Sequence, residues 1–384
     1  MNYRYDTVVI GGGQAGLAMG HYLARQNRDF VILDGGRSVG EAWRDRWDSL
    51  RLFTPAQHSS LPGLPFPAPH DHYPGRDEVA DYLAAYAGHF DLPVRLRERV
   101  VSLQANDDGD GYLIETPGEA YRARNVVVAT GPFGAPNIPA LSRLLSPDVL
   151  QLHSTSYRRP EQIPDGNVIV VGAGTSGIQI AAELAASRKT YLSVGSPITR
   201  LPARLFGRSI FTWLERSGAL DVTIDSRLGR RASRREIAPE RSPRTIARTH
   251  GVELLERVVA GEEGRLRTAS GRAVEISSVI WATGFRSSYP WIDLRVFDEK
   301  GKPVHRRGVT AAPGLYFLGL PWLHTRGSAL LGWVGRDAAY LSDVISATSP
   351  VRSAPASSRS RHAVPMELSS SSRMTISAGH RHIW

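Results

Sequence analysis

Asp6-Thr7-Val8-Val9-Ile10-Gly11-Gly12-Gly13-Gln14-Ala15-Gly16-Leu17-Ala18 reads as a buried strand, a glycine turn and the start of a helix. Thr7 to Ile10 supply the strand; Leu17, Ala18, Tyr22 and Leu23 form the apolar side of the helix. Gly11, Gly13 and Gly16 make the pattern G-x-G-x-x-G, in which each glycine has its own task. The first permits the tight turn, the second lets backbone approach a pyrophosphate, and the third lets helix and strand pack closely. The helix N-terminus then offers free N–H groups and a positive dipole end to phosphates. The pattern alone is weak, so its surroundings decide. The next apolar run, Phe30-Val31-Ile32-Leu33, ends on Asp34, 23 residues after Gly11, where a carboxylate accepts hydrogen bonds from a ribose diol.

The same arrangement returns at Asn167. Val168-Ile169-Val170-Val171 leads into Gly172, Gly174 and Gly177 and then an amphipathic helix. Two complete fingerprints about 160 residues apart are far more specific than one, and indicate two dinucleotide sites. The copies differ at the second strand. Thr190-Tyr191-Leu192-Ser193-Val194 ends in Gly195 and Ser196 with no carboxylate to repel a 2′-phosphate, and Arg200 and Arg204 follow, which favours NADPH over NADH.

The 384 residues are enough for two domains and a tail. No cysteine is present, which removes disulfides, thiolate metal sites, cysteine nucleophiles and electron transfer through a Cys pair of the disulfide-reductase kind. His70, Asp71 and His72 look like metal ligands only superficially, since no third ligand stands at helical or hairpin spacing, and no metal site is expected. No apolar run approaches the roughly 20 residues of a membrane span, and the chain enters its first strand without a signal-peptide pattern, so a cytoplasmic location is expected. The net charge of +10 raises nucleic acid or a membrane surface as partners, but the excess sits in the tail and in residues 227–244, where no aromatics interleave with the arginines to stack bases. Solvated basic loops are the expected reading, with no nucleic-acid partner and no stable membrane insertion.

Between the fingerprints, residues 35–55 are too rich in Gly and aromatics for a plain connector, and Trp43 and Trp47 are suited either to cover a flat ring or to close a domain edge. Arg76 opens a helix with Val79, Tyr82, Leu83 and Tyr86 on one face. Val94 to Leu103, Tyr112 to Thr116 and Ala120 to Arg124 read as a small meander, followed by a buried strand ending at Thr130 and Gly131. Such strand ends are where open α/β sheets bind ligands. Residues 132–139 read as a hinge, residues 201–250 as an Arg-rich excursion near the second nucleotide, and Val279 to Phe285 as an echo of the Ala-Thr-Gly ending. Leu315 to Trp322 should rejoin the first sheet, with Gly319 close to the first cofactor and a helix from Ala329 to Ile345 pointing its N-terminus there.

The fold expected is α/β with two Rossmann-like domains. An FAD-binding domain from residues 1–140 and 286–349 is interrupted by an NADPH-binding domain at 141–285, and a disordered basic tail covers 350–384.

Taken together, Gly11 to Gly16, Gly40-Glu-Ala-Trp-Arg44, Arg76-Asp-Glu-Val79, Ala129-Thr-Gly-Pro-Phe133, His153-Ser-Thr-Ser-Tyr157, Gly172 to Gly177, Ala282-Thr-Gly-Phe285 and Phe317-Leu-Gly-Leu-Pro-Trp322 resemble the flavin-containing monooxygenase group and its CzcO-like bacterial relatives. The resemblance spans roughly residues 5–345. It implies FAD in the first site, at Gly11, Gly13, Gly16, Asp34, Trp43, Thr130, Gly131 and Gly319. It implies NADPH in the second, at Gly172, Gly174, Ser176, Gly177, Arg200, Thr283 and Gly284. It also implies hydride transfer to the flavin, then a flavin hydroperoxide that inserts one oxygen atom into a small substrate. The chain departs from the group at Pro147 and Val149, where Phe and Gly usually precede the histidine, and at Leu52-Phe53-Thr54-Pro55, where an Asn is common.

No nucleophile elbow, paired carboxylates or Cys stands out, so the cofactors must carry the reaction. Arg44, Thr54 and His324 are the candidate donors beside the flavin, and Trp43, Trp47, Phe53, Trp322 and Trp333 predict an apolar substrate pocket. The expected partners are a small-molecule substrate and oxygen, with a homodimer left open. A flavin reductase or oxidase without oxygen insertion, and a nucleotide-sensing subunit linked to ion or metal transport, stay open as alternatives.

Overall fold

Strand β1 (Asn2–Ile10), helix α1 (Gln14–Arg25) and strand β2 (Phe30–Leu33) form the first nucleotide-binding unit, with Thr7 opposite Phe30 and Ile10 opposite Leu33 in parallel register. The structure is a computed structural model in which residues 2–106, 109–195, 199–234, 237–238 and 242–348 are described. The expected tail at 350–384 lies outside the described residues. Helix α2 (Arg76–His89) buries Val79, Tyr82, Leu83 and Tyr86, the face expected from their spacing. Strand β3 (Val94–Arg95) pairs parallel with Ile32 and Leu33, so it belongs to the nucleotide sheet and not to the meander. Arg97, with φ of +62°, turns the chain away, and the meander starts only at β4 (Ser102–Ala105), followed by β5 (Tyr112–Glu115) and β6 (Ala120–Val128).

Strand β6 serves two structures. Residues 120–124 alternate buried and half-exposed side chains, and 120–123 pair antiparallel with β5, as a sheet with one wet face requires. Residues 125–128 are all buried, lying parallel to β1. Strand β1 lies parallel to β6 along its length, while the other side of β6 pairs antiparallel with β5 at residues 120–123 and parallel with Leu315–Phe317 at residues 126–128.

The second sheet is wholly parallel. It is built from β7 (Leu150–His153), β8 (Val168–Val171), β9 (Thr190–Ser193), β10 (Glu253–Leu255) and β11 (Ser278–Trp281), in the order β10-β9-β8-β11-β7, with helix α3 (Thr175–Leu184) following β8. Val168, Ile169, Val170, Val279 and Ile280 are fully buried, each worth about 1.5–3 kcal/mol of transfer free energy. Between β10 and β11 lies a separate antiparallel sheet of Val258–Glu262, Arg265–Thr268 and Ala273–Glu275.

Strand β12 (Leu315–Phe317) then returns to the first sheet, parallel to Val126 to Val128, and helix α4 (Val334–Thr348) follows. The chain passes between the sheets twice, and the two passages pair with each other: Pro136 lies opposite Phe285 and Ala135 opposite Arg286 in an antiparallel ladder.

Candidate functional site

The two glycine turns repeat one geometry at the carboxyl ends of β1 and β8. Gly11 has φ of +106° and Gly172 φ of +109°, values that favour glycine. A Cβ on Gly11 would stand 2.7 Å from the Ala129 carbonyl oxygen at the end of β6, and one on Gly172 would stand 2.3 Å from that of Ala282 after β11. The following helices sit directly on these turns, since a Cβ on Gly16 would reach 1.8 Å from the Gly11 oxygen and one on Gly177 would reach 1.9 Å from the Gly172 oxygen.

Gly13 is different. Its backbone is extended, it caps α1, and a Cβ there would meet nothing within 4 Å. Open space at the N-terminus of a helix, with N–H groups facing it, is what a pyrophosphate requires. Asp34 closes the other end: its carboxylate accepts the Gly12 N–H at 2.6 Å and the Gly36 N–H at 2.7 Å. The two N–H groups fix a carboxylate that keeps further lone pairs for a ribose diol. These residues therefore fit FAD. Gly319, with φ of +78°, brings its chain against Ala15 in the first turn of α1, to within 2.7 Å of a notional Cβ. Thr130 and Gly131 follow the end of β6, beside the Gly11 turn; a Cβ on Gly11 would lie 3.1 Å from the Thr130 nitrogen.

In the second turn Ser176 lies half-buried in the first turn of α3, and Gly174 caps that helix in extended conformation. The edge of β9 carries no acid. Arg200 forms a short parallel ladder with Ala238, and its side chain lies outside the described residues. A further arginine stands at this edge. Arg257, just past β10, directs its Nε and Nη2 at the Gly195 carbonyl oxygen, at 2.9 and 2.7 Å. Nothing in the sequence pointed to Arg257, because only the pairing of β10 alongside β9 brings it to Gly195.

Thr283 and Gly284 work between the crossing passages. The Thr283 hydroxyl donates to the Asn137 carbonyl, the Asn137 side-chain amide donates to the Thr283 carbonyl at 3.1 Å, and the Asn137 N–H donates to the Gly284 carbonyl at 2.9 Å. His153 joins them. Its Nδ1 accepts the Thr155 N–H at 3.3 Å, which leaves Nε2 to donate to the Gly284 carbonyl at 3.0 Å. Burial lowers the His153 pKa, the Gly284 contact opposes that, and Arg46 adds to it.

The 35–55 loop does not stay with the first sheet. Trp47 is buried in the core of the second unit with Tyr157, Ile178 and Ile180, and its indole N–H has no acceptor among the described residues. Trp43 is half-buried against the apolar clusters of both units. Arg51 fastens the loop to α3, its backbone N–H donating to the Gln179 side chain at 3.1 Å and its carbonyl accepting from it at 2.9 Å. Trp47 thus closes a domain edge.

Two of the three candidate donors, Arg44 and Thr54, are engaged with other side chains. Arg44 pairs with Asp81 at 2.6 Å and Asp77 at 3.7 Å on α2. Thr54 is buried, 2.9 Å from the Ser59 hydroxyl; since Ser59 donates to the Pro55 carbonyl at 3.0 Å, the Thr54 proton goes to Ser59. His324 receives the Ile224 N–H on its carbonyl at 2.7 Å, and its imidazole pKa is lowered by burial and then by Arg307, against the opposing Asp337 and Asp225. His72 lies 2.8 Å from Glu78 and Asp71 pairs with Arg204, and no metal-binding group of three occurs among the described residues.

The 201–250 excursion proves two-sided. Its helix Pro243–His250 buries Ile246 in the core of the second unit. Its helix Ile210–Arg216 instead inserts Phe211 into an aromatic cluster of the first, 6.0 Å from Phe53, 6.3 Å from His58 and 5.7 Å from Trp333. His58 stacks on Trp333 at 5.8 Å, places Nε2 3.1 Å from the Thr212 hydroxyl and Nδ1 3.4 Å from Glu215, and has a pKa lowered by burial. Phe53 and Trp333, expected at the pocket, are brought together here.

Two such glycine turns in one chain, one with a carboxylate fixed at the end of its second strand and one without, define a two-dinucleotide-binding flavoprotein oxidoreductase. Residues 8–199 match the family model described as pyridine nucleotide-disulphide oxidoreductase, and the chain belongs to that family. Having no cysteine, it lacks the redox pair the family name refers to. A CzcO-like oxidoreductase of Geobacillus kaustophilus (strain HTA426), itself uncharacterised, is 44% identical over 343 residues, covering 89% of this chain and 98% of its own length. A probable indole-3-pyruvate monooxygenase of Arabidopsis thaliana, YUCCA7, is 29% identical over 353 residues, 81% of this chain and 82% of its own. Among solved structures, a flavin-containing monooxygenase from Stenotrophomonas maltophilia is 31% identical with a TM-score of 0.74, covering 90% of this chain and 99% of that one. The protein is an enzyme with FAD and NADPH as cofactors. No helix among the described residues is long and apolar enough to cross a membrane.

Proposed function

We propose that the protein is an FAD-dependent, NADPH-consuming monooxygenase that places one atom of dioxygen in a small, largely apolar substrate. The observation that carries this is the presence of two unlike nucleotide cradles in one chain, beside an aromatic cluster in which Phe211, from the chain that follows the second cradle, packs on Phe53 and Trp333. When bound, FAD supplies hydride acceptance and the activation of oxygen. The chain's own residues hold and orient. FAD belongs to residues 1–140 and 286–349, through Gly11, Gly13, Gly16 and Asp34, with Trp43, Thr130, Gly131 and Gly319 around it. NADPH belongs to residues 141–285, through Gly172, Gly174, Ser176 and Gly177, with Arg257 or Arg200 at the 2′-phosphate. Thr283 and Gly284 support that site by holding the crossing passages together. The aromatic cluster excludes water from the reacting end, as oxygen insertion requires. The reading includes a location in the cytoplasm.

The second reading is an NADPH-dependent reductase or oxidase, favoured by Pro147 and Val149 standing ahead of His153. Oxygen uptake and peroxide release during NADPH oxidation separate the two. A monooxygenase consumes NADPH faster than NADH and releases less peroxide per NADPH once a substrate is added. An oxidase releases one peroxide per NADPH whatever is added.

A further inference from the structure

We propose that the hairpin at residues 204–209 docks this protein on an anionic membrane surface. Its strands, Arg204–Leu205 and Arg208–Ser209, pair antiparallel and leave Phe206 and Gly207 as a two-residue turn, with φ of +49° and +72°. Both values are left-handed, as such hairpin turns demand, and the first position is ordinarily Asn, Asp or Gly. A phenylalanine there carries backbone strain and no burial in return, for Phe206 is 85% exposed and its neighbour Leu205 39%.

The tip is braced. The Trp213 indole N–H donates to the Leu205 carbonyl at 2.9 Å and its ring meets Phe206 edge-on at 6.1 Å. Arg208 is exposed and makes no ion pair among the described residues, while Arg204 pairs with the exposed Asp71 at 3.3 Å. The same excursion repeats the combination on the helix Arg227–Ser233, where Leu228 is 64% exposed beside Arg227, Arg230 and Arg231. Residues 201–250 hold eleven arginines against five carboxylates, a net charge of +6 out of the chain's +10. Glu215 is engaged at His58 and Asp221 at Arg336.

A convex two-residue tip cannot bury the roughly 800 Å² per partner of a stable protein interface. It does suit a lipid surface, where an aromatic and a leucine enter the headgroup–acyl boundary while guanidinium groups meet lipid phosphates. The helix that follows the hairpin is the one that sets Phe211 on His58 and Trp333, so the docking element and the apolar cluster are one continuous piece of chain.

The test is co-sedimentation of the full-length, FAD-loaded protein with vesicles of phosphatidylcholine alone or with one-third phosphatidylglycerol. We expect at least tenfold more protein on the anionic vesicles, most of it released by raised salt. Phe206→Asn should lose at least tenfold in vesicle binding while its melting temperature stays level or rises, because Asn suits the left-handed turn. Arg208→Glu should lose binding comparably, and both variants should keep their flavin. Absence of wild-type binding, equal binding to neutral vesicles, or unchanged binding by Phe206→Asn would overturn the proposal. So would a concentration-dependent self-association abolished by Phe206→Asn without vesicle binding, which would make the tip a contact between copies of this chain.

Discussion

The Gly11 carbonyl oxygen lies where it would be 1.8 Å from a Cβ on Gly16, whereas a Cβ on Gly13 would meet nothing within 4 Å. Two glycines of one motif are thus required for different reasons. Gly16→Ala must push α1 off β1, and overpacking against backbone costs about 1–3 kcal/mol or more. Gly13→Ala should leave the apoprotein within about 1 kcal/mol of its parent, as a surface change does, yet prevent FAD retention. Thermal unfolding of the apoproteins and flavin content after gel filtration check both. Equal destabilisation by the two substitutions would contradict the assignment of Gly13 to the ligand.

Arg257 is expected to read the 2′-phosphate of NADPH. Hydrogen bonds to charged groups contribute about 1.5–3 kcal/mol, so Arg257→Ala should raise KM for NADPH roughly ten- to a hundredfold and leave NADH unchanged. The same comparison on Arg200→Ala tells which arginine serves. Equal changes for both nucleotides would remove Arg257 from recognition.

Phe211 is 1% exposed and makes ring contacts with Phe53, His58 and Trp333. Phe211→Ala should cost about 3–5 kcal/mol, the usual range for a buried Phe, and Phe211→Leu markedly less. Denaturant unfolding measures both. A loss below about 1 kcal/mol for the alanine variant would mean the excursion is not seated on the first unit.

Stability should fall on mild acidification. Burial is the first cause lowering the pKa of His21, His58, His153, His305 and His324, so each is held neutral in the fold. Unfolded, they take up protons near pH 6.5; folded, only at lower pH. Their contribution is therefore complete above about pH 6.5 and lost progressively below it. The melting temperature should be level from about pH 7 to 8.5 and drop toward pH 5, less steeply in His58→Gln. A rise on acidification would contradict the sign.

The nucleotide turns were legible because their chemistry is local: strand, glycines, helix and acid follow one another within 34 residues. The return of Leu315 to Phe317 to the first sheet was legible for the same reason, as a short apolar run ending in glycine. What escaped depends on distant pairing. The domain-edge role of Trp47 was open to the sequence but its partners Tyr157, Ile178 and Ile180 were not, and Phe211 meets His58 across more than 150 positions with no periodicity to announce either contact. The repeated Ala-Thr-Gly ending suggested a cofactor contact at Thr283 and Gly284; the hydrogen bonds to Asn137 and His153 give these residues a second task that only the folded passages reveal.

Rapid mixing separates oxygen insertion from simple flavin oxidation. The purified protein is reduced with NADPH under nitrogen, mixed with oxygenated buffer, and followed through the flavin absorbance. A monooxygenase should show a transient spectrum, distinct from reduced and oxidised flavin, that outlives mixing while the nicotinamide nucleotide stays bound. Direct return to oxidised flavin with stoichiometric hydrogen peroxide would contradict that reading.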